Sequence, residues 1–315
     1  MASSAAVEGR RILVTGGAGF VGSHLLDRLH EDNEVIVLDN FRYGTKENIS
    51  HISCTLIEDD ICTADLAAII RNYEIDLVFH LAAAHLSDSL NDPVNDFMTS
   101  ALGGIRVLEA ARNTRVKRVV YASTGSVYGE PQHKDHDETH PLLPTTPYGV
   151  SKCMIDHYCR IYTNLYGLET VRLRYYNIYG PRRTIGAVPQ FILKALRGDT
   201  IRIEGGEQIR TPTFVTDIAE ATIKAAVVPE ANGLAFNLAA STAVSIFEMA
   251  HIITRLCGVE DSVNFEMADY RPGEIMVLRP AVTLAKGVLG WEASTTLEEG
   301  IQSLIDHLRR YEHLS

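Results

Sequence analysis

The sequence predicts an α/β fold, a doubly wound parallel sheet followed by a smaller C-terminal α/β lobe, on three observations. Short β-branched or apolar runs alternate with helical stretches as far as Tyr175, a glycine-rich turn follows the first run directly, and beyond Gly180 the elements become shorter and more punctuated. Strands alternating with helices at this spacing imply right-handed crossovers, which cover a parallel sheet on both faces. Residues 1–175 are therefore read as one domain and 176–315 as mainly a second, interleaved with the first by a return of about residues 213–240.

The expected strands run Arg11 to Thr15, Glu34 to Leu38, Thr55 to Ile57, Asp76 to Leu81, Arg118 to Ser123 and Thr170 to Tyr175. Ser23 to Leu29 reads as the helix after the glycine turn. Asp217 to Val227 reads as a helix and Ala235 to Ala239 as a further buried strand, which brings the chain back to the main sheet. Gly180-Pro181, Gly205-Gly206, Thr211-Pro212 and Arg271-Pro272-Gly273 break the second region into short pieces. No internal repeat or low-complexity segment is evident.

A chain of 315 residues can bury one large core or two smaller ones. With 46% hydrophobic and 22% charged residues it has the balance of an ordinary soluble globular protein, and a formal charge of -11 argues against a general nucleic-acid binder. An anionic small ligand is not excluded, because it feels local charge. Met1 to Gly9 lacks the apolar core of a secretory signal, and no apolar stretch approaches the ~18 residues of a membrane span. The cysteines, Cys54, Cys62, Cys153, Cys159 and Cys257, form neither a Cys-x-x-Cys pair nor a metal spacing with histidine. Reduced thiols in a cytoplasmic protein without a bound metal are expected.

The first strand runs straight into Thr15-Gly16-Gly17-Ala18-Gly19-Phe20-Val21-Gly22. Glycines at such a turn let the backbone approach a pyrophosphate and pack the helix on the strand, while free amides at the helix N-terminus attract the phosphates, as in a Rossmann domain. The second strand ends in Leu38-Asp39-Asn40, where Asp39 can accept hydrogen bonds from an adenosine ribose. That carboxylate would repel a 2′-phosphate. NAD is favoured over NADP, with Arg42 keeping the alternative open.

Tyr148 and Lys152 are four apart, a spacing that makes them neighbours on one helix face. A tyrosine titrates near ~10, and a nearby ammonium favours its anion, which moves it toward use as a general base. A solvated surface pair is the competing reading of these two residues alone. Pro147 fits a first helical position, so Thr146-Pro147 is expected to start their helix.

Taken in order, the glycine turn, Asp39, His80-Leu81-Ala82-Ala83, Ala122-Ser123-Thr124, Tyr148 with Lys152, and Arg174-Tyr175-Tyr176-Asn177 resemble the extended short-chain dehydrogenases. Within these, the chain resembles the nucleotide-sugar epimerase and dehydratase group that contains UDP-glucose 4-epimerase, from Arg11 to about Tyr311. The resemblance implies that Gly16, Gly19, Phe20, Val21 and Gly22 hold the pyrophosphate of NAD, Asp39 and Asn40 its adenosine ribose, and Asp60 and Ile61 the adenine. Leu81, Ala82 and Ala83 would line the path to the nicotinamide, with Tyr175 also beside the cofactor. For Asp60 a helix cap is an equal reading, and for His80 strand-end packing is favoured over catalysis. Thr124 matches the family's catalytic hydroxyl. Lys152 would contact the nicotinamide ribose and lower the pKa of Tyr148.

The same resemblance sorts the chemistry. Dehydratases of this group typically follow the threonine with Asp-Glu and the UDP-glucuronate decarboxylases keep a Glu two residues on, whereas this chain has Gly125-Ser126. Simple epimerisation at C4 of a UDP-hexose, through a transient 4-keto sugar, is the economical expectation. The alternatives are a dehydratase, a decarboxylase, a net dehydrogenase or reductase, and a catalytically silent NAD-binding protein, against which the intact Thr124, Tyr148 and Lys152 count. Asn177, Arg210 and Arg271 match residues that bind the nucleotide diphosphate, Ser126 stands near the sugar, and His85 and Val188-Pro189 are candidates for the sugar and uridine surroundings. Arg182 and Arg183 could meet an acidic sugar or bond to neighbouring loops. Departures at Ser100, Ile203 and Arg210-Thr211-Pro212 put the substrate in doubt. A homodimer built from Leu102 to Arg112 and Tyr148 to Tyr166 is also implied.

Overall fold

The computed structural model describes residues 7–132, 135–271 and 273–311. Residues 1–6 of the small-residue-rich start, and Pro272 of the Arg271-Pro272-Gly273 turn, lie outside the described residues. Strands β1 (Arg11–Thr15), β2 (Glu34–Asp39), β3 (Thr55–Glu58), β4 (Leu77–His80), β5 (Arg118–Thr124) and β6 (Glu169–Tyr175) form a parallel sheet ordered β3-β2-β1-β4-β5-β6, with Ala235–Leu238 added beside β6. The central strands are apolar on both faces because both are covered, as a parallel sheet requires. Strand order reverses between β1 and β4. A crevice therefore opens beyond the carboxyl ends of those two strands.

Helices α1 (Phe20–Leu29) and α8 (Val215–Val227) cover one face, where Leu25, Leu26, Ile218 and Trp291 join the core. On the other face lie α2 (Leu66–Asn72), α5 (Gly103–Arg112) and α6 (Pro147–Tyr166), whose Ile155, Cys159 and Tyr162 pack on the sheet. Two short helices, α3 (Leu86–Asn91) and α4 (Pro93–Asp96), lead through a π-helical turn, Phe97–Leu102, into α5. The expected helices Ser23 to Leu29 and Asp217 to Val227 each start earlier, at Phe20 and Val215. Apolar periodicity marks the packed turns of a helix, whereas its first turn is set by the cap.

The second lobe gathers α7 (Ala187–Arg197), α9 (Ile246–Cys257) and α10 (Leu297–Tyr311) around Ile192, Ile203, Ile253 and Ile301. Ser245 and Glu248 close α9 with a capping box. Ile203 is wholly buried in this core. Ile203, named above as a departure from the resemblance, is here a packing residue.

Candidate active site

Where β1 ends, the chain must lay α1 against the sheet with backbone on backbone. Gly16 has φ +72°, and a Cβ there would stand 2.7 Å from the Ala82 amide nitrogen; one on Gly22 would stand 2.3 Å from the Gly16 carbonyl oxygen. Only glycine lets this turn, the Leu81–Ala83 segment and α1 close together. Gly19 caps α1 in an extended conformation without a side-chain cap. Helix geometry leaves the amides of Phe20, Val21 and Gly22 without carbonyl partners, which makes an anion cradle.

Asp39 fastens the same turn. Its Oδ2 accepts from the Ala18 amide at 2.9 Å and its Oδ1 from the Phe41 amide at 2.8 Å. Burial raises its pKa and those amides pull it back. A carboxylate has lone pairs beyond two amides, and these suit a ribose diol. Asn40 donates through Nδ2 to Asp60 at 2.7 Å, while Asp60 takes the Cys62 amide at 2.8 Å. Asp60 thus caps a turn, and Ile61 after it is buried in the sheet's core.

The reacting groups stand at the end of β5. Thr124 accepts the Ser126 amide at 3.2 Å, capping a single 3-10 turn that holds the Ser126 hydroxyl 3.4 Å away. Thr146 caps α6 by accepting from the Gly149 amide at 3.2 Å, and Pro147 occupies the first helical position, as the sequence predicts. Tyr148 and Lys152 then fall on the first two turns of α6.

Their electrostatics differ from the sequence-based expectation. Burial pushes the Tyr148 phenol up to about 12; the Thr124 hydroxyl and the Arg183 guanidinium draw it back, and Asp96 opposes them. Lys152 lies one turn deeper, its Nζ 4.7 Å from the centre of the Tyr121 ring, and burial brings it down to about 8. Arg183 is a cation whose charge favours the phenolate. Its Nε donates to the Ile185 carbonyl at 2.9 Å, the guanidinium lies 5.2 Å from the Phe20 ring centre, and among the described residues no carboxylate pairs with it. Arg182, by contrast, is held by Asp27 at 2.8 Å. His85 stacks on Tyr43 at 3.9 Å, and burial, then Arg183, lower its pKa, so it is a neutral ring beside the site.

Other candidates are placed elsewhere. The Tyr175 hydroxyl lies 2.9 Å from the Thr222 hydroxyl, so its phenol belongs to the packing of α8 on the sheet. Val188 is buried in the core of the second lobe. Asn177 is exposed with φ +39°, a conformation asparagine tolerates, on the loop after β6. Arg210 is paired with Glu274 and donates to the Ile275 carbonyl at 2.9 Å; Arg271 is paired with Glu204. Neither arginine joins the Tyr148 cluster. His80 is enclosed, its Nδ1 2.7 Å from the Thr15 hydroxyl, and burial lowers its pKa to about 3, a neutral packing role. Sequence reasoning missed Asp96 and Ser151, and took Ser100 only as a departure. The one signal was the spacing of Asp96 and Ser100, four apart on a helix.

Glycine cradle, Asp39 carboxylate, Thr124 hydroxyl and Tyr148 phenol together suit a dinucleotide beside a proton-transfer group, and the chain is similar to known proteins over most of its length. The model of the NAD dependent epimerase/dehydratase family matches residues 12–239. A putative UDP-glucose 4-epimerase of Methanocaldococcus jannaschii is 35% identical, over 95% of this chain and 98% of its own length. The crystal structure of UDP-glucose 4-epimerase from Thermotoga maritima with UDP-glucose superposes with a TM-score of 0.90 at 32% identity, covering 95% of this chain and 99% of that one. UDP-glucuronic acid 4-epimerase from Bacillus cereus, in complex with UDP-glucuronic acid and NAD, gives a TM-score of 0.90 at 28% identity over 95% and 99% of the two chains. With that match over most of its length and this site at its centre, the chain belongs to the NAD dependent epimerase/dehydratase family.

Proposed function

We propose that this protein is an NAD-dependent isomerase that inverts C4 of a nucleotide-diphosphate sugar, a UDP-hexose, through a transient 4-keto sugar. The observation that carries the reading is the company Tyr148 keeps: Thr124, Arg183 and, beyond them, the buried Asp96. No free carboxylate stands beside the phenol, among the described residues, to serve as the extra acid or base of an elimination. The glycine cradle that a Cβ would fill at Gly16 and Gly22, together with Asp39, suits NAD without a 2′-phosphate. Held by the Gly16–Gly22 turn and Asp39, NAD would supply a reversible hydride acceptor for the sugar carbon.

The protein's own part is proton transfer and restraint. Tyr148 takes the C4 hydroxyl proton and later gives it back, with the Thr124 hydroxyl orienting the exchange and Lys152 held behind it. Arg210 and Arg271 would exchange Glu274 and Glu204 for the diphosphate, a bidentate match that tethers the keto intermediate. Ser126, His85 and Asn177 would surround the sugar and uridine, while Val188, packed in the core of the second lobe, would support the start of α7 from within. The sheet domain thus carries the cofactor and the second lobe the substrate. Arg183 beside Tyr148, paired with no carboxylate among the described residues, favours, as a second reading, a sugar with an anionic substituent.

Incubation with NAD and UDP-glucose should yield UDP-galactose with no steady rise in NADH absorbance, and Tyr148→Phe should lower the rate by about 10²–10⁴ while retaining NAD. Faster turnover of UDP-glucuronic acid would select the second reading, and steady NADH accumulation would refute both. Two further inferences accompany this one. Cys54, Cys62, Cys153, Cys159 and Cys257 are all free thiols, in keeping with work in the cytoplasm. Exposed apolar residues on α6 and the π-helical turn support a homodimer.

A further inference from the structure

Below the reacting groups lies a carboxylate that the proposed reaction does not use. Asp96 is 1% exposed, at the end of α4, and among the described residues neither of its oxygens meets a cation. Oδ1 accepts from the Ser100 hydroxyl at 2.9 Å and Oδ2 from the Ser151 hydroxyl at 2.7 Å. Ser100 in turn accepts from the Ala84 amide at 3.0 Å, on the segment that follows β4. Ser151 is the residue before Lys152. A buried carboxylate with only hydroxyl donors is costly unless a charge nearby repays it.

That charge is at hand. Lys152 is 2% exposed and makes no hydrogen bond to a carboxylate among the described residues. Of the carboxylates that bear on its charge, Asp96 has the larger effect, ahead of Asp156. Asp156 is itself claimed by Arg174 at 2.9 Å on both oxygens and by Ser123 at 3.0 Å. The other titratable groups around the ammonium are Tyr121 of β5, His80 of β4, and Tyr148 and Cys159 of its own helix. Of these, none is an anion available to it.

We propose that Asp96 is the counter-charge that keeps the Lys152 ammonium protonated, and that Ser100 and Ser151 tie it to the Ala84 segment and to α6. It is a positioning residue that touches no reacting atom: it acts through Lys152 and, as the smallest of the influences on the phenol, on Tyr148. The π-helical turn that begins at Phe97 sets Ser100 beneath Ala84, a local distortion of the kind found at functional sites. Removing the negative charge should make the ammonium easier to deprotonate. Activity that needs Lys152 charged would then fail at lower pH.

The inference rests on Lys152 serving the proposed site, and the test separates the two. Asp96→Asn keeps the shape and removes the charge; its amide oxygen can still accept from one serine, while its NH2 must donate to the oxygen of the other. In that variant the Lys152-dependent limb of kcat/KM, the break set by loss of the ammonium proton, should move down by about one pH unit, an approximately fivefold loss at pH 8 if half the ammonium is protonated there in the wild type. In ¹⁵N-lysine spectra, the Lys152 titration should move the same way without any substrate. Should Asp96→Asn fail to fold, Ser151→Ala, which strips one donor from the carboxylate, should shift the same titration by less. A uniform loss of rate with an unmoved limb and an unmoved Lys152 titration overturns the inference. Wild-type protein that titrates as expected but turns over no nucleotide sugar leaves it standing and refutes the function instead.

Discussion

At the scale of single residues, the base is set by a contest between burial and two neighbours. Burial alone would leave the Tyr148 phenol too reluctant to ionise near neutrality, and Arg183 is the positive charge of this chain that works against it. Replacing Arg183 with Gln removes a charge that favours the phenolate, so the pKa of Tyr148 rises and the ascending limb of the rate profile moves to higher pH. Below that limb the rate falls about tenfold for each unit of displacement. A pH profile of kcat for Arg183→Gln measures the displacement; an unmoved limb would assign the priming elsewhere. If the loss appears in KM for an anionic sugar alone, Arg183 is a binding group and the phenol is set by other means. His85 is the control, because its neutral ring adds no charge at the phenol and His85→Gln should leave the limb in place.

At the scale of elements, the cofactor turn works because three backbones share one space. A methyl on Gly22 would overlap the Gly16 carbonyl, and neither α1 nor β1 can move without unpacking Leu25 and Leu26 from the sheet. Gly22→Ala should therefore cost about 1–3 kcal/mol of stability and weaken NAD binding by at least roughly tenfold. Thermal unfolding and NAD titration check the two effects separately. The turn was legible in the sequence because glycine there has a covalent cause, and the strands because burial on both faces requires unbroken apolar runs. Tyr148 and Lys152 were legible as neighbours because helix spacing is local. The charge that acts on Tyr148 was not, since Arg183 arrives from the loop after β6, and a contact across that separation leaves no periodic mark. Asp96 and Ser151 are joined the same way, across two helices. Arg210 and Arg271 match diphosphate-binding residues in the sequence, but their pairing with Glu274 and Glu204 was not legible there, because sequence reveals a charge and not its partner.

At the scale of the whole molecule, α6 joins the site to the outer surface. Its inner side buries Ile155, Cys159 and Tyr162 against the sheet, while Val150, Ile161, Leu165 and Tyr166 are exposed. Val94, Phe97 and Met98, exposed on the neighbouring α4 and π-helical turn, extend that apolar surface. In a chain with a formal charge of -11, mutual repulsion opposes self-association, so an apolar surface must outweigh it locally. A second copy packed helix against helix satisfies this requirement, and it would brace the helix that holds Tyr148 and Lys152. Light scattering should then give twice the 34.8 kDa of one chain. Phe97→Asp combined with Leu165→Asp should halve that mass without loss of helix signal, because both side chains already meet solvent in the single chain. If bracing α6 is what the partner contributes, the separated chains keep NAD yet turn over more slowly, and raising protein concentration restores the rate of a partly dissociating single variant. A mass of one chain for the unaltered protein would remove the dimer from the account and leave the site, which lies within one chain, as described.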